Sequence, residues 1–563
     1  MKDKIRAIAS FNALGHEGKA ELNSVISKTI SLFPEERKNL KTLMPLIKEI
    51  VDKVNSLSAE EMKAIIERDF PELLATTSKE EEKRLPDLPD VGKEGVVMRM
   101  APSASGPLHI GHARMAILND EYFRRYGGKL VLRIEDTNPT NNEPEAYQMI
   151  QDDLHWLDVN FTDLVIQSKR FELYYSEMKS LIEMRKAYVA TSPTEEFKSR
   201  KQQGMPIKER DETPEENLER WDKMVSGEYA KGEAYAVVKT DLTHPNPAIR
   251  DFIAFRIVDT PHPLEGDRYK AYPMMNFSVA VDDHYNGLTH VIRGKDHTAN
   301  TEKQKYIFGY RNWKLPFYLH YGKVSIEHTI LKTSLIKKGI RSGEFTGWDD
   351  PKLGTLVALK KRGFSPLAIR KYYVESGIGS VDTTFSWEIF YSFNRKIIDN
   401  SSPRHFFVNQ PVSLKFEFEG KLKASIPLYP QTGNSATQEK REYLVGKGSI
   451  SITSQDYQKF KGELVRLKDL GYFKIGEENI QYIGQEILED VQKWNPGRPL
   501  GKVPIIHWLS GNEVPFKVIR PDGTSEEGLL EKDALRFTGK VNQFERYGYV
   551  NVLNEKEGYF THP

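Results

Sequence analysis

Residues Arg99–Asp136 read RMAPSASGPLHIGHARMAILNDEYFRRYGGKLVLRIED. The order is strand, loop, helix, strand. Val96 to Met100 is a short, mostly apolar run, and Pro102, Ser103, Ser105, Gly106 and Pro107 break it into a loop. From Leu108 the apolar residues recur at helical spacing through Ile110, Met115, Ile117, Leu118, Tyr122 and Phe123. Gly127-Gly128 stops the helix, and Leu130 to Ile134 is strand-like again. One βαβ unit of this kind is the building block of a parallel sheet.

The chemistry concentrates where the loop meets the helix. His109 and His112 are three apart in the first turn and so share a face. Free backbone N–H groups and the positive dipole end also gather there, which suits a phosphate. Gly111 has no side chain, so a flat ring can lie against the backbone. Two imidazoles in this place can donate hydrogen bonds to charge growing on a phosphoryl group. A bare H-x-x-H is equally well a pair of surface or capping histidines; the longer string PSASGPLHIGHAR is far more specific. Downstream, Arg133-Ile134-Glu135-Asp136 delivers two carboxylates to the C-terminal edge of the sheet, where ligands of open α/β sheets bind. Glu135 there suits a substrate ammonium, with a surface salt bridge as the alternative.

The whole chain bounds these expectations. Its 563 residues hold several domains, with an ordinary 39% hydrophobic and 29% charged composition. No apolar run approaches the ~20 residues of a membrane span, and MKDKIRAIAS lacks the apolar core of a signal peptide. A cytoplasmic protein without a membrane partner is therefore expected. With no cysteine, disulfides, thiolate zinc sites and cysteine nucleophiles are excluded. Basic and acidic residues nearly balance, 81 against 80, so a nucleic-acid partner requires clustered basic groups. No P-loop is present, and no G-x-G-x-x-G follows a strand.

Residues 1 to about 85 read as helices, with helical spacing from Ile5 to Leu14, Leu22 to Leu32, Leu40 to Val54 and Met62 to Phe70. Ser58 with Glu61 has capping-box spacing, and Pro34, Pro45 and Pro71 fall near helix starts or breaks. Ser78 to Pro89 reads as a linker. Gln151 to Lys186 looks helical with a break near Asn160, whereas Tyr188 to Pro263 departs from the βαβ rhythm. The apolar run Phe277–Val281 ends in Asp282-Asp283-His284, a weak metal candidate. Leu288 to Ile292 is a strand that puts Arg293 at the same sheet edge as Glu135. Pro316 to Val324 is strand-like, and Leu353 to Ser376 and Trp387 to Ile398 are helical. After Pro403 come short strands at Val412–Phe418, Leu422–Ile426, Ser449–Ser454, Val503–Trp508 and Val514–Ile519. Arg536, Lys540 and Arg546 with Phe544, Tyr547 and Tyr549 mix charge with stacking surface, as single-stranded RNA readers do, or else form core.

His109-Ile110-Gly111-His112 resembles the HIGH signature of class I aminoacyl-tRNA synthetases. Its flanks resemble glutamyl-tRNA synthetases of the archaeal type, and the resemblance runs along nearly the whole chain. It implies a multidomain fold: a helical N-terminal appendage (1–85), a Rossmann-like α/β catalytic domain in two halves (93–188 and 266–345), an inserted α+β domain for the tRNA acceptor end (189–265), a helical connecting domain (346–402) and anticodon-binding β-barrels (403–563). It implies ATP-dependent ligation of L-glutamate to tRNA through a glutamyl-adenylate, by a monomer. ATP comes with Mg2+. Relatives often carry a cysteine zinc knuckle in the inserted domain, but the run from Tyr188 to Pro193 has no thiols, so no zinc and no metal-binding residue is expected. The tRNA for glutamine as a second acceptor stays open.

The resemblance also assigns roles. His109, His112 and Lys332 are the catalytic residues. Ser105, Gly106, His109, Gly111, His112, Asp296, Thr333, Ser334, Lys337 and Lys338 bind ATP. Arg99, Ala101, Ser103, Glu135, Met275 and Arg293 bind glutamate. Two arginines and one acid match the charges of glutamate, and an arginine at position 293 goes with glutamate rather than glutamine. Met275 stands where many relatives have a tyrosine, so no hydroxyl is offered there. Leu331 to Ile340 resembles the second signature, the basic KMSKS loop, but Leu335 replaces its second lysine, leaving Lys337 or Lys338 to supply the charge. Two alternatives remain on the sequence: a glutaminyl-tRNA synthetase, and a non-catalytic tRNA-binding relative.

Overall fold

The computed structural model describes residues 1–15, 18–71, 73, 84–327, 329–430, 439–485 and 503–563. The chain forms two compact units, Met1–Arg84 and Leu85–Pro563. The linker expected from Ser78 begins outside the described residues.

In the first unit the four periodic stretches are helices α1 (Lys2–Gly15), α2 (Leu22–Leu32), α3 (Leu40–Val54) and α4 (Ala59–Asp69). Their apolar stripes meet in a core of Ile5, Ile8, Val25, Ile47, Val54, Met62 and Ile66. The capping box is reciprocal: Glu61 N–H donates to Ser58 Oγ at 3.3 Å, and Ser58 N–H to Glu61 Oε2 at 2.8 Å. Pro45 does not break a helix. It lies inside α3.

The second unit opens on β1 (Val96–Met100), α5 (Ile110–Tyr126) and β2 (Gly128–Ile134), with β1 and β2 parallel and Arg99 opposite Val131. Next come α6 (Ala146–Trp156), β3 (Asp163–Ile166) and α7 (Phe171–Glu183). The break near Asn160 therefore leads into a strand, parallel to β2. An antiparallel sheet follows, of β4 (Ala187–Ala190), β5 (Tyr235–Val238), β6 (Phe252–Ile257) and β7 (Ala271–Pro273). Helices α8 (Thr194–Gln203) and α9 (Pro214–Ser226) lie between β4 and β5. The apolar run from Phe277 is helical, within α10 (Met275–Tyr285). After it, β8 (His290–Gly294), α11 (Thr298–Tyr310) and β9 (Phe317–Tyr321) add a second parallel pair. Thr289 N–H donates to Val97 O at 3.0 Å and joins this pair to β1. The strand ends carrying Arg99, Arg133 and Arg293 thus reach one edge.

The stretch expected as a basic loop is helical from Thr333, as α12 (Thr333–Ser342), with Lys332 as its N-cap. Ile336 anchors it against Phe345, Leu353 and Ala358. Beyond Pro403 a seven-stranded mixed sheet gathers Arg404–His405, Phe407–Asn409 and the strands between Glu513 and His562. Among the described residues no hydrogen-bonded ring closes into a barrel. The two edge strands of this sheet are consecutive in the chain, on either side of Phe406. Of the two readings open for Phe544 and Tyr549, stacking surface or core, both residues take the second and are core. Arg546 forms a two-pronged pair with Asp456, and Arg536 bonds Glu439 and Asp533.

Candidate functional site

Two adjoining cavities open at the C-terminal edge of the parallel strands. The larger, about 850 Å³, lies between the loop before α5 and the face of α12; the smaller, about 420 Å³, lies over the ends of β1 and β8. Ser103, His112, Glu135 and Met275 line both.

At the mouth of the larger cavity, the two histidines cap α5 and each other. His112 N–H donates to His109 Nδ1 at 3.3 Å, and His109 N–H to His112 Nδ1 at 3.4 Å. The rings stack with centroids 3.6 Å apart. Capping and site are therefore one arrangement. Because each Nδ1 accepts, the ring proton of each neutral imidazole sits on Nε2 and leaves a donor on each distal edge. Burial, with His112 adding to it, pushes His109 down to about 2, and burial alone pushes His112 down to about 4. Both rings are neutral near pH 7.

The flat ring resting on Gly111 belongs to the protein itself. A Cβ at position 111 would lie 3.0 Å from His109 Cε1. First-turn N–H groups are also partly spent, since Ile110 N–H donates to Gly354 O at 2.9 Å and His112 N–H goes to His109. Ahead of them, Leu108 N–H donates to Asp153 Oδ2 at 2.7 Å, and burial pushes this carboxyl up to about 7. Gly106 lines neither cavity. At φ +152°, a Cβ there would meet the Trp348 ring at 2.8 Å and Thr333 Cγ2 at 3.2 Å, so its small size brings the α5 loop against the start of α12.

Ser105, Lys332, Thr333, Ser334, Lys337 and Lys338 also line the larger cavity. Leu335 does not: it is 54% exposed on another face of α12. Ser334, Lys337, Lys338 and Arg341 follow helical spacing and form the face turned to the cavity. Arg341 was not among the expected residues, although that spacing reaches it. The loop Thr137–Glu143 was missed too. Lys337 Nζ bonds Glu143 Oε1 at 2.7 Å and Asn141 O at 3.1 Å. This loop leaves the sheet edge directly after Asp136, the same signal that singled out Glu135.

In the smaller cavity stand Arg99, Ala101, Gly111, Arg293 and Asp296. The two acids at the end of β2 have separate fates. Asp136 is buried and consumed, accepting from Tyr147 OH at 2.8 Å and from Ser168 N–H and Oγ at 2.8 and 2.7 Å. Glu135 accepts from Arg133 at 3.0 Å and still faces both cavities. The metal candidate dissolves likewise. Asp282 accepts from Gln167, Arg170 and Tyr174, Asp283 pairs with Arg133 at 2.6 Å, and His284 stacks on Trp313.

Three guanidiniums, Arg99, Arg133 and Arg293, face the carboxylates of Asp283 and Glu135. Burial works against the charge of Arg133, but Asp283 and Glu135 outweigh it and hold its pKa above the ordinary value. Arg99 reaches Asp283 only at 3.8 Å. Arg293, 6% exposed, meets no carboxylate within 4.0 Å among the described residues. Burial, then the nearby charge of Arg99, pushes Arg293 down to about 10, which leaves it charged at neutral pH. One buried positive charge is left over. The Tyr318 hydroxyl is also buried without a partner, with its ring centroid 5.2 Å from the Arg293 guanidinium. Just beyond β4, Glu209 accepts from the N–H groups of Thr191 and Ser192 at 3.0 and 2.7 Å.

Residues 95–400 match the catalytic domain of the class I tRNA synthetases (E and Q), and 402–491 match the anti-codon binding domain of the same class. A glutamate–tRNA ligase of Thermoplasma volcanium is 49% identical over 563 residues, covering 100% of both chains. That of Thermoplasma acidophilum is 50% identical over 520 residues, 92% of each chain. That of Methanocaldococcus jannaschii is 44% identical over 555 residues, 98% of this chain and 97% of the other. No helix among the described residues is long and apolar enough to cross a membrane. With a family match over more than half of its length and relatives alike from end to end, the chain belongs to the class I tRNA synthetases of the E and Q type.

Proposed function

We propose that this protein ligates L-glutamate to tRNA at the expense of ATP. The observation that carries this assignment is the uncompensated charge of Arg293 beside Arg99 and Glu135. A buried guanidinium without a carboxylate is costly until an anion pairs with it, and a fork-shaped cation fits a carboxylate in two-pronged fashion. The glutamate side chain supplies that anion. Glutamine does not. Glu135 holds the ammonium.

In the first step the α-carboxylate oxygen attacks the ATP α-phosphorus. The acyl phosphate bond forms, the bond to the β-phosphate bridging oxygen breaks, and pyrophosphate leaves with its electron pair. The Nε2–H groups of His109 and His112 donate to the charge that grows on the phosphoryl oxygens. Lys332, Lys337, Lys338 and Arg341, with the first-turn N–H groups of Thr333 and Ser334, balance the leaving triphosphate end. ATP brings its own Mg2+. Next a terminal-ribose hydroxyl of tRNA attacks the glutamyl carbonyl and AMP leaves. Residues 189–265 receive the acceptor end and the region after 403 reads the anticodon, with 346–402 as the connector and 1–85 as an appendage. The protein works as a cytoplasmic monomer.

Charging of separated glutamate and glutamine tRNAs, with each labelled amino acid, tests the assignment. Glutamate charging of the glutamate tRNA is expected, and the glutamine tRNA lane reads whether a second acceptor is used. No glutamate charging at saturating tRNA and ATP would sink it.

The basic face of α12 makes a separate forecast. Replacing Lys337, Lys338 and Arg341 together by alanine is expected to lower kcat about 100-fold or more, because several donors to the leaving phosphates are removed at once. Leu335→Ala, off that face, is expected to stay within about twofold, as exposed substitutions do. Steady-state charging assays compare the two; equal effects would return the missing charge to position 335.

A further inference from the structure

Helix α11 holds Arg293 in a way that neither neighbouring guanidinium is held. Arg133 meets Asp283 and Glu135, and Arg99 approaches Asp283. Arg293 instead donates to the Thr301 hydroxyl and to Gln304 Oε1 at 2.9 Å. Both partners are neutral and buried, at 2% and 0% exposure. Thr301 Oγ1 is in turn 2.8 Å from His320 Nε2, which steadies it from the β9 side. Gln304 Nε2 and Arg293 Nε remain without partners.

The choice of an amide at this place has a physical consequence. Glutamine and glutamic acid side chains have the same length and shape, so either could receive the guanidinium at 2.9 Å. A carboxylate would neutralise Arg293 inside the protein and compete with an incoming anion. An amide oxygen fixes the orientation of the fork but leaves its charge unspent. We propose that Gln304, together with Thr301, is a positioning residue that reserves the charge of Arg293 for the substrate's side-chain carboxylate and so sets the preference for an acidic over an amide amino acid. This rests on the assignment of glutamate to the smaller cavity.

The test uses the full chain with Gln304→Glu and Gln304→Met, and reads kcat and KM for glutamate, KM for ATP, and the glutamate-to-glutamine ratio in tRNA charging. Gln304→Glu is expected to raise KM for glutamate roughly 10- to 100-fold and to erode the ratio, with KM for ATP unchanged. Gln304→Met loses the acceptor without adding charge, and its rise in KM is expected to be a few-fold only. Thr301→Asp, which puts the carboxylate on the other partner, should act in the same direction if Gln304→Glu does not fold. Stabilisation against thermal unfolding by L-glutamate and by L-glutamine separates this proposal from the assignment of activity. Wild-type protein stabilised by glutamate, with the effect lost in Gln304→Glu, supports the proposal even where tRNA charging fails. Gln304→Glu with wild-type KM and wild-type stabilisation, or Gln304→Met as impaired as Gln304→Glu, overturns it, as does wild-type protein that glutamate leaves unstabilised.

Discussion

Arg293→Met is expected to cut kcat/KM for glutamate in tRNA charging by about 100- to 1,000-fold, the cost of leaving a buried carboxylate without its cation. Methionine keeps much of the volume and the apolar stem, and removes only the fork. In the free protein, Thr301 and Gln304 lose a donor, but both are uncharged, so the fold is spared the penalty of a stranded ion. The loss should therefore fall on substrate rather than on stability, and a melting curve beside the kinetics separates the two. Arg99 and Arg133 then face Asp283 and Glu135 in equal number, and the surplus charge beside them that calls for an anion is gone. Glutamine should lose far less than glutamate, so the ratio of their kcat/KM values is the decisive reading. An unchanged ratio would place the side-chain carboxylate elsewhere.

Replacement of His112 separates its two roles. Its Nδ1 accepts the His109 N–H, and its Nε2–H points outward as a donor. In His112→Asn, the short amide oxygen can take the place of Nδ1 and accept the His109 N–H from the third helical position. The distal donor is gone. A fall in kcat of about 100- to 1,000-fold is expected, the range for removing one donor to a developing oxyanion, with little change in melting temperature. In His112→Gln the longer side chain can turn its N–H toward the place of Nε2 or its oxygen back to the His109 N–H, as glutamine does at this position of a capping box, and outward donation gives up the back-bond. That variant should keep more activity and lose roughly 0.5–1.5 kcal/mol of stability, the net worth of one hydrogen bond. The opposite ranking in a charging assay would contradict the assigned tautomer. Neither ring needs to titrate for this role, because burial keeps both neutral down to about pH 4.

Much of this candidate site was legible in the sequence. Nearly all of the residues expected around ATP and glutamate line the two cavities, and the one that does not, Gly106, packs the α5 loop against Thr333. The misses have definite causes. The apolar run from Phe277 is given no element by the sequence, because it is too short for periodicity to tell a buried strand from a buried helix. A signature expected as a loop hid the helical face that carries Arg341. For Phe544 and Tyr549 surface and core stay open in the sequence, because a short strand does not say from its sequence which face is wet, and both are core.

The strand, helix and strand from Val96 to Ile134, with the histidine pair at the junction, follow from local causes. Side-chain periodicity, a helix cap and a glycine stop act over a few residues, so a single chain displays them openly. Which charges are spent and which are left free is a different matter. Arg133 and Asp283 stand 150 positions apart in the chain, yet their pairing consumes the acid that Arg99 and Arg293 would otherwise share. Asp136, adjacent to Glu135, is taken up by Tyr147 and Ser168, while Glu135 is left at the cavity. Charge balance in a buried pocket is a sum over groups brought together from distant segments. Only folding carries out that sum, and beside Arg99 and Arg133 it leaves Arg293 without a carboxylate, the cation that an acidic substrate completes.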